Sequence, residues 1–148
     1  MQGALFEYAR GLAAFESSAA GAVVGSVVFI AGLGDGLQAH GWLEELAQAL
    51  GEVELTLVQY VQRTSYQQYG LHTLQEDCED LCALLEHLQT HRHAPGHRYY
   101  LLGHSTGCQD IMVYLRDGLR TEHRVVGAHC LAPVSDREYH AWAAPAAT

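Results

Sequence analysis

The stretch LLGHSTGCQD, from Leu101 to Asp110, decides the fold of this protein. It places Ser105 midway between Gly103 and Gly107, after an apolar run and before a helical pattern. In a tight turn between a strand and a helix, side chains two residues before and after the serine would collide with those elements, and glycine removes them. The pattern G-x-S-x-G therefore predicts a nucleophile elbow, a turn that raises a serine hydroxyl above the end of a sheet. A glycine-rich turn without chemistry is the alternative interpretation.

Hydrophobic patterns along the rest of the chain alternate between strand and helix. Strands are predicted at Leu5–Tyr8, Leu12–Glu16, Ser26–Ala31, Glu54–Tyr60, Arg98–Leu102 and Val125–Leu131. Helices are predicted at Trp42–Leu50, from Thr73 to about His93, and at Cys108–Leu119. This alternation is typical of βαβ units, which build a mostly parallel sheet with helices on both faces. We therefore expect an α/β fold in one domain over residues 1–148, with two N-terminal strands within residues 1–20 and a frayed tail at 141–148.

Short motifs predict where the helices begin and end. Thr73 and Glu76 have the spacing of a capping box, in which each side chain hydrogen-bonds the backbone of the other residue. Gly51 suits the C-cap of the helix that precedes it. Pro95 is expected to stop the long helix near His93, because the residue before a proline avoids the helical conformation.

The composition argues against several classes of partner. The 148 residues include 17 acidic and 8 basic side chains, which gives a formal net charge of −9. That balance argues against nucleic acid and against an anionic membrane as partners. No apolar run is long enough to cross a bilayer, and no secretory pattern follows Met1. We expect a cytoplasmic protein in a reducing, intracellular compartment.

Two pairs of metal-binding residue types lie at helical spacing. Cys78 and Cys82 are four residues apart on a predicted helix, where buried thiols of the core are expected and metal or redox chemistry is the alternative. His87 and His91 have the same spacing, which can chelate a metal ion. They lie at a predicted helix end far from the glycine-serine turn, so we expect a solvated end instead. No cofactor and no metal is implied by the sequence.

A second glycine-rich segment, Gly32-Leu33-Gly34-Asp35-Gly36, follows the first strand predicted to be buried on both faces. In a sheet that carries a nucleophile elbow, the loop at this position supplies a backbone donor for the oxyanion of the reaction. Leu33 and Gly34 are the candidate donors here, together with the N–H of Thr106, which follows the serine. A plain strand-to-helix turn is the alternative. The spacing does not fit a dinucleotide-binding fingerprint.

Four blocks of the sequence carry a resemblance to a known family. They are FIAGLGDGL (29–37), TSYQQYGLHTLQEDCEDL (64–81), LLGHSTGCQDIMVYL (101–115) and LAPVSDREYH (131–140). The elbow resembles that of the α/β-hydrolases, and the four blocks together resemble the fusarinine C esterase-like family, over about Phe6 to His140. The resemblance implies an α/β-hydrolase fold with Ser105 as the nucleophile. A siderophore-ester substrate follows from it only by analogy.

A serine nucleophile needs a base and an acid, and in α/β-hydrolases these follow the serine in the order acid, then histidine. The resemblance implies two further strands, an aspartate and a histidine, in sequence beyond Thr148. Within the chain, Asp136 is the candidate acid, and its alternative role is in the N-cap of a helix. His140 is a further candidate for the base. His104 adjoins the nucleophile, and we expect it to point away from the hydroxyl and to have a structural role.

These observations favour a serine esterase that acts on a small-molecule ester through an acyl-Ser105 intermediate. Acyl transfer is a second enzymatic interpretation. A catalytically inactive, truncated hydrolase that acts as a binding module is the alternative from another class. The strand predicted at Val125–Leu131 has no lysine, proline or formal charge to protect an exposed edge, so we also expect self-association through this strand.

Overall fold

The computed structural model describes residues 1–117 and 123–143, without the side chains of Asp136 and His140. The strands are β1 (Gly3–Ala9), β2 (Leu12–Ser17), β3 (Gly25–Ile30), β4 (Leu55–Tyr60), β5 (Arg98–His104) and β6 (Val125–Leu131). The helices are α1 (Trp42–Gly51), α2 (Leu74–His87), α3 (Gly107–Asp117) and α4 (Asp136–Ala143). A π-helical turn at Leu88–Arg92 continues α2.

The six strands form one sheet in the order β1-β2-β4-β3-β5-β6. β3 pairs in parallel with β4 and with β5, and β5 pairs in parallel with β6. The N-terminal pair is antiparallel, and β2 joins β4 in the antiparallel sense. The predicted α/β fold with a mostly parallel sheet is confirmed, and the carboxyl ends of β3, β4 and β5 meet at one edge.

Successive residues of β3 face opposite sides of the sheet, and this alternation creates two apolar layers. Val28 and Ile30 belong to the larger buried cluster, which includes residues of α2 and α3. Phe29 packs instead with Leu43 and Ala47 of α1. Helices therefore cover both faces, as the continuous apolar run in β3 predicts. None of the helices in the described part of the chain is both long and apolar enough to span a bilayer.

The helix ends agree with the sequence motifs at some positions and differ at others. The capping box is present, since the Thr73 hydroxyl accepts from the Glu76 N–H at 3.3 Å and the Thr73 N–H donates to the Glu76 carboxylate at 2.8 Å. Gly51, expected to be the C-cap of α1, is instead the last helical residue, and Glu52 follows as the cap.

Other ends are shifted by a few residues. The long helix is not among them, because it stops near His93 as predicted: α2 continues into the π-helical turn, and His93, the residue after that turn, is extended. α4 extends through Ala143, so the first three residues of the expected frayed tail are helical, and 144–148 lie outside the described residues. The last two residues predicted for α3, Gly118 and Leu119, also lie outside the described residues.

A polar network lies at the edge of the sheet where the parallel strands β3, β4 and β5 begin. The Ser26 hydroxyl lies 2.8 Å from His97 Nε2 and 2.7 Å from Thr56 Oγ1. Thr56 donates to Glu16, whose carboxylate also lies 2.7 Å from His93 Nε2. Burial opposes ionisation of Glu16, but the bonds from His93 and its neighbours prevail and lower its pKa to about 2. These groups satisfy one another at the edge remote from Ser105, so they stabilise the fold.

Candidate active site

Ser105 lies on a strained turn between β5 and α3. Its backbone φ is +55°, in the left-handed region, which costs a residue with a side chain roughly 1–2 kcal/mol. The turn is held from both sides, because the Ser105 N–H donates to the Leu131 carbonyl of β6 at 3.0 Å and its carbonyl accepts from the Cys108 N–H at 3.2 Å. Strain of this kind persists only where surrounding contacts impose it.

The two glycines beside Ser105 permit a close backbone approach. A Cβ atom on Gly107 would lie 2.3 Å from the Ile30 carbonyl oxygen and 2.6 Å from that of Ala31. A Cβ atom on Gly103 would lie 2.6 Å from the Gly107 carbonyl oxygen. Neither position can hold a side chain without backbone movement. The first turn of α3 thus packs directly on the end of β3, and this contact explains the spacing of G-x-S-x-G.

The glycine-rich loop after β3 passes beside the serine. Asp35 closes it, since its N–H donates to the Gly32 carbonyl at 3.0 Å and its carboxylate accepts from the Gly32 N–H at 3.1 Å. A Cβ atom on Gly32 would lie 3.2 Å from Ser105 Cβ. Gly34 has φ +75°, and its carbonyl accepts from the Tyr66 N–H in the loop after β4. The loop is therefore braced from two sides.

A cavity of about 430 Å³ opens at this edge of the sheet. Leu33, Gly34 and Thr106, the three predicted oxyanion donors, all lie on its wall. Within residues 1–117 and 123–143, no group accepts a hydrogen bond from their backbone N–H groups. The structure thus brings the three residues to one cavity, and their role as oxyanion donors stays a prediction. Tyr139 of α4 contributes an exposed aromatic ring to the same wall.

Two buried aspartates line the same cavity. Asp77 and Asp110 are each 4% exposed. One oxygen of Asp110 accepts from Gln62 Nε2 at 3.0 Å, and one oxygen of Asp77 accepts from the Thr64 hydroxyl at 2.8 Å. Burial, with the nearby charge of Asp77, raises the pKa of Asp110 to about 7, and burial also raises the pKa of Asp77. The pair therefore retains a proton close to neutral pH.

Sequence reasoning did not single out this aspartate pair. Both residues lie in the first turn of a helix, where an acidic side chain normally faces solvent and complements the helix dipole. Their burial depends on α2 and α3 lying side by side against the sheet. The only local signal was the polar position of Asp110 beside the apolar stripe of α3.

His104 belongs to a cluster of rings beside Ser105. Its ring centroid is 4.5 Å from that of His40 and 6.5 Å from that of Phe29. Burial and the proximity of His40 lower the pKa of His104. His40 in turn lies 3.1 Å from the Asp35 carboxylate through Nε2. In the described part of the chain, no histidine is hydrogen-bonded to the Ser105 hydroxyl.

The candidate acid, Asp136, is the first residue of α4, and its side chain lies outside the described residues, as does that of His140. The preceding residue caps the helix, since the Ser135 hydroxyl accepts from the Glu138 N–H at 3.3 Å. An acidic role for Asp136 stays a prediction.

The four cysteines are free thiols. Cys78 is buried in the larger core cluster and Cys82 packs against it, as expected of core thiols. His87 and His91 have ring centroids 5.0 Å apart at the end of α2.

Comparison with known proteins gives this geometry a context. The fusarinine C esterase of Aspergillus fumigatus is 34% identical over 137 residues, a match that covers 79% of this chain and 39% of that protein. The siderophore hydrolase EstB from Aspergillus fumigatus superposes with a TM-score of 0.78 at 33% identity, covering 95% of this chain and 45% of that one. An α/β-hydrolase fold protein of unknown function superposes with a TM-score of 0.73 at 18% identity, covering 88% and 44%.

The chain thus spans less than half the length of these relatives. It also matches the DUF1749 family, described as "Protein of unknown function", over residues 1–146. The elbow turn, the parallel sheet and these similarities agree: the chain belongs to the DUF1749 family and has the α/β-hydrolase fold.

Proposed function

We propose that the protein hydrolyses carboxylic esters through an acyl intermediate on Ser105. The observation that carries this proposal is the left-handed backbone of Ser105 on a strand-to-helix turn beside the 430 Å³ cavity. A serine that only connected two elements would gain nothing from this strain, whereas a nucleophile must be raised above the sheet. Relatives named as a fusarinine C esterase and a siderophore hydrolase support the same reaction class.

In the proposed reaction the Ser105 oxygen attacks the ester carbonyl, and a general base takes the hydroxyl proton. The N–H of Thr106 and those of Leu33 or Gly34 stabilise the oxyanion of the tetrahedral intermediate. The alcohol then leaves with a proton, and water releases the acid from the serine. By resemblance, the histidine base and its acid come from sequence after Thr148, with Asp136 as the alternative acid.

The substrate class follows by analogy with the named relatives. One is named a fusarinine C esterase and the other a siderophore hydrolase, so we propose a siderophore-like ester as substrate, with the acyl portion in the cavity between the two glycine-rich turns. The protein is proposed to be cytoplasmic and to need no cofactor.

The test is covalent labelling together with turnover. When the sequence after Thr148 is included, a fluorophosphonate probe is expected to modify Ser105, and p-nitrophenyl butyrate and fusarinine C are expected to be hydrolysed. The 148-residue chain alone is expected to be labelled slowly or not at all, because it lacks the base expected from that sequence. Ser105→Ala should abolish labelling and reduce turnover by several powers of ten. The activity that remains would come from the oxyanion donors.

Ser135→Ala is the matched control, because Ser135 also follows a strand at this edge but caps α4. It should label and turn over normally. Labelling that persists in Ser105→Ala would refute the role of Ser105. Binding of fusarinine C by the longer chain, without turnover or labelling, would favour the inactive binding module.

A further inference from the structure

We propose that Asp35, His40 and His104 form a binding site for a zinc ion, which ties the glycine-rich loop to the end of β5. The ion would take no part in the bond-making steps of ester hydrolysis. It would fix the loop whose N–H groups are the proposed oxyanion donors, and its binding is measured separately from turnover.

The three side chains converge on one point. Each offers one ligand atom, and the three atoms lie within 4.8 Å of one another. Asp35 Oδ2 and His40 Nε2 are 3.1 Å apart. Zinc bonds to nitrogen and oxygen of about 2.0–2.1 Å in a tetrahedron place neighbouring ligand atoms roughly 3.3 Å apart. The Asp35–His40 pair already has this spacing, and a small rotation of a half-buried ring would complete the set.

A second observation points to a missing partner at the same place. Nδ1 of His104 is buried and has no hydrogen-bond partner among the described residues. Buried polar atoms are normally satisfied, and a nitrogen without a partner calls for a specific explanation. This nitrogen and Asp35 Oδ2 border the same glycine, because a Cβ atom on Gly32 would lie 3.5 Å from the nitrogen and 3.1 Å from Oδ2. A cation held there would supply the partner.

The chemistry of the three side chains suits zinc. Two imidazoles and one carboxylate are borderline ligands that zinc accepts, whereas calcium and magnesium prefer oxygen alone. The ring of Trp42 stacks 5.5 Å from that of His40, and Phe29 lies edge-on to both. These rings orient the histidines and limit the access of water. Three protein ligands leave the fourth position for a water molecule.

The ion would join two segments that are distant in sequence. Asp35 and His40 flank the turn that leads into α1, and His104 is the last residue of β5, directly before Ser105. Coordination would therefore hold the Gly32–Gly36 loop against the elbow. Zinc binding is expected to stabilise the protein as well, since a ligand that binds only the folded state raises its stability.

The experiment must exclude the other metal-binding groups. We would titrate zinc by calorimetry into the His87→Gln/His91→Gln double variant, which removes the histidine pair at the end of α2. One ion per protein should bind, and the melting temperature should rise. Asp35→Asn and His40→Gln in this background should each weaken binding at least roughly tenfold and abolish the rise. Glu45→Gln, an exposed acid of α1, is the matched control and should change neither.

Cobalt identifies the ligands. Cobalt substitution should give the visible bands of a nitrogen and oxygen site, without thiolate-to-cobalt charge transfer. Charge transfer would assign the ion to the cysteines and overturn the proposal. Failure of zinc to bind would overturn it too, as would unchanged affinity in Asp35→Asn and His40→Gln.

Discussion

At the scale of single residues, the conformation of Ser105 yields a stability prediction. Its φ of +55° disfavours any side chain, and glycine adopts this region without steric cost. Ser105→Gly should therefore be more stable than Ser105→Ala by about 1 kcal/mol, since alanine keeps the strain that glycine releases. Thermal or urea unfolding of the two variants measures the difference. An alanine variant of equal or greater stability would show that the turn is not strained.

Gly107 is predicted to be intolerant of even a methyl group. Its Cβ would lie 2.3 Å from the Ile30 carbonyl oxygen, so Gly107→Ala should destabilise the fold by about 1–3 kcal/mol or prevent folding. Gly51→Ala is the control, because it is also helical but nothing lies within 4 Å of the added atom. That change should stabilise the protein by about 0.5–1 kcal/mol through helix propensity. Equal effects on urea unfolding would contradict the close contact between α3 and β3.

The sequence predicted the residues of the elbow because their constraint is local. Gly103 and Gly107 are required by a turn only five residues long, so their spacing in the sequence is enough to predict that turn. The ring cluster could not be predicted in this way. His40 and His104 come together only because β3 and β5 are neighbours in the sheet, and no spacing in the chain encodes that contact.

At the scale of helices and strands, the predictions are confirmed where the signal lies within the element itself. β6 has the predicted bounds, and the capping box of α2 is formed by the expected residues. The differences lie where tertiary contacts override local signals. The π-helical turn that follows α2 is a difference of this kind, and Arg92, the last residue of that turn, donates to the Glu16 carboxylate of β2. Glu16 lies near this turn because of the order of the strands in the sheet, and the hydrophobic periodicity of the sequence does not predict that order.

The packing of α2 beside α3 predicts a pH dependence through Asp110. The pKa of its carboxyl rises from 3.8 to about 7 on folding, because burial disfavours the charged form and Asp77 adds repulsion. The folded state therefore binds a proton more tightly than the unfolded state. The stabilising contribution is complete below about pH 4 and is lost as the pH rises through 7, by up to about 4 kcal/mol.

Asp110→Asn should remove the loss of stability that ionisation of Asp110 causes as the pH rises, because the amide cannot ionise. Urea unfolding between pH 4 and 8 should show a smaller decline of unfolding free energy in the variant than in the parent protein. Asp117→Asn, on the exposed end of the same helix, should follow the parent curve. Histidines whose pKa is lowered by burial titrate in the same range, so the difference between the curves is the informative quantity. Parallel curves for Asp110→Asn and the parent would show that Asp110 is charged throughout.

At the scale of the whole molecule, β6 stands at the edge of the described sheet. It pairs with β5 on one side, and in the described residues no strand pairs with its other side. Most of its residues are exposed, including Val126 at 53%. Unpaired backbone groups beside apolar side chains form a template for pairing with another chain. Natural edges are usually protected by lysine, proline or a bulge. Val125–Leu131 has neither lysine nor proline, and the register shift in its pairing with β5 lies at Val126, near the start of the strand.

We therefore expect the 148-residue chain to self-associate through β6 at micromolar concentrations. Val126→Lys should shift sedimentation toward the monomer, because a lysine on the strand disfavours the approach of a second edge without disturbing the core. Val53→Lys is the matched control: Val53 is comparably exposed, at 60%, but lies in the turn between α1 and β4. It should leave the association unchanged. If the parent chain sediments as a monomer at every concentration, or if both lysine variants dissociate it equally, the association does not run through this edge.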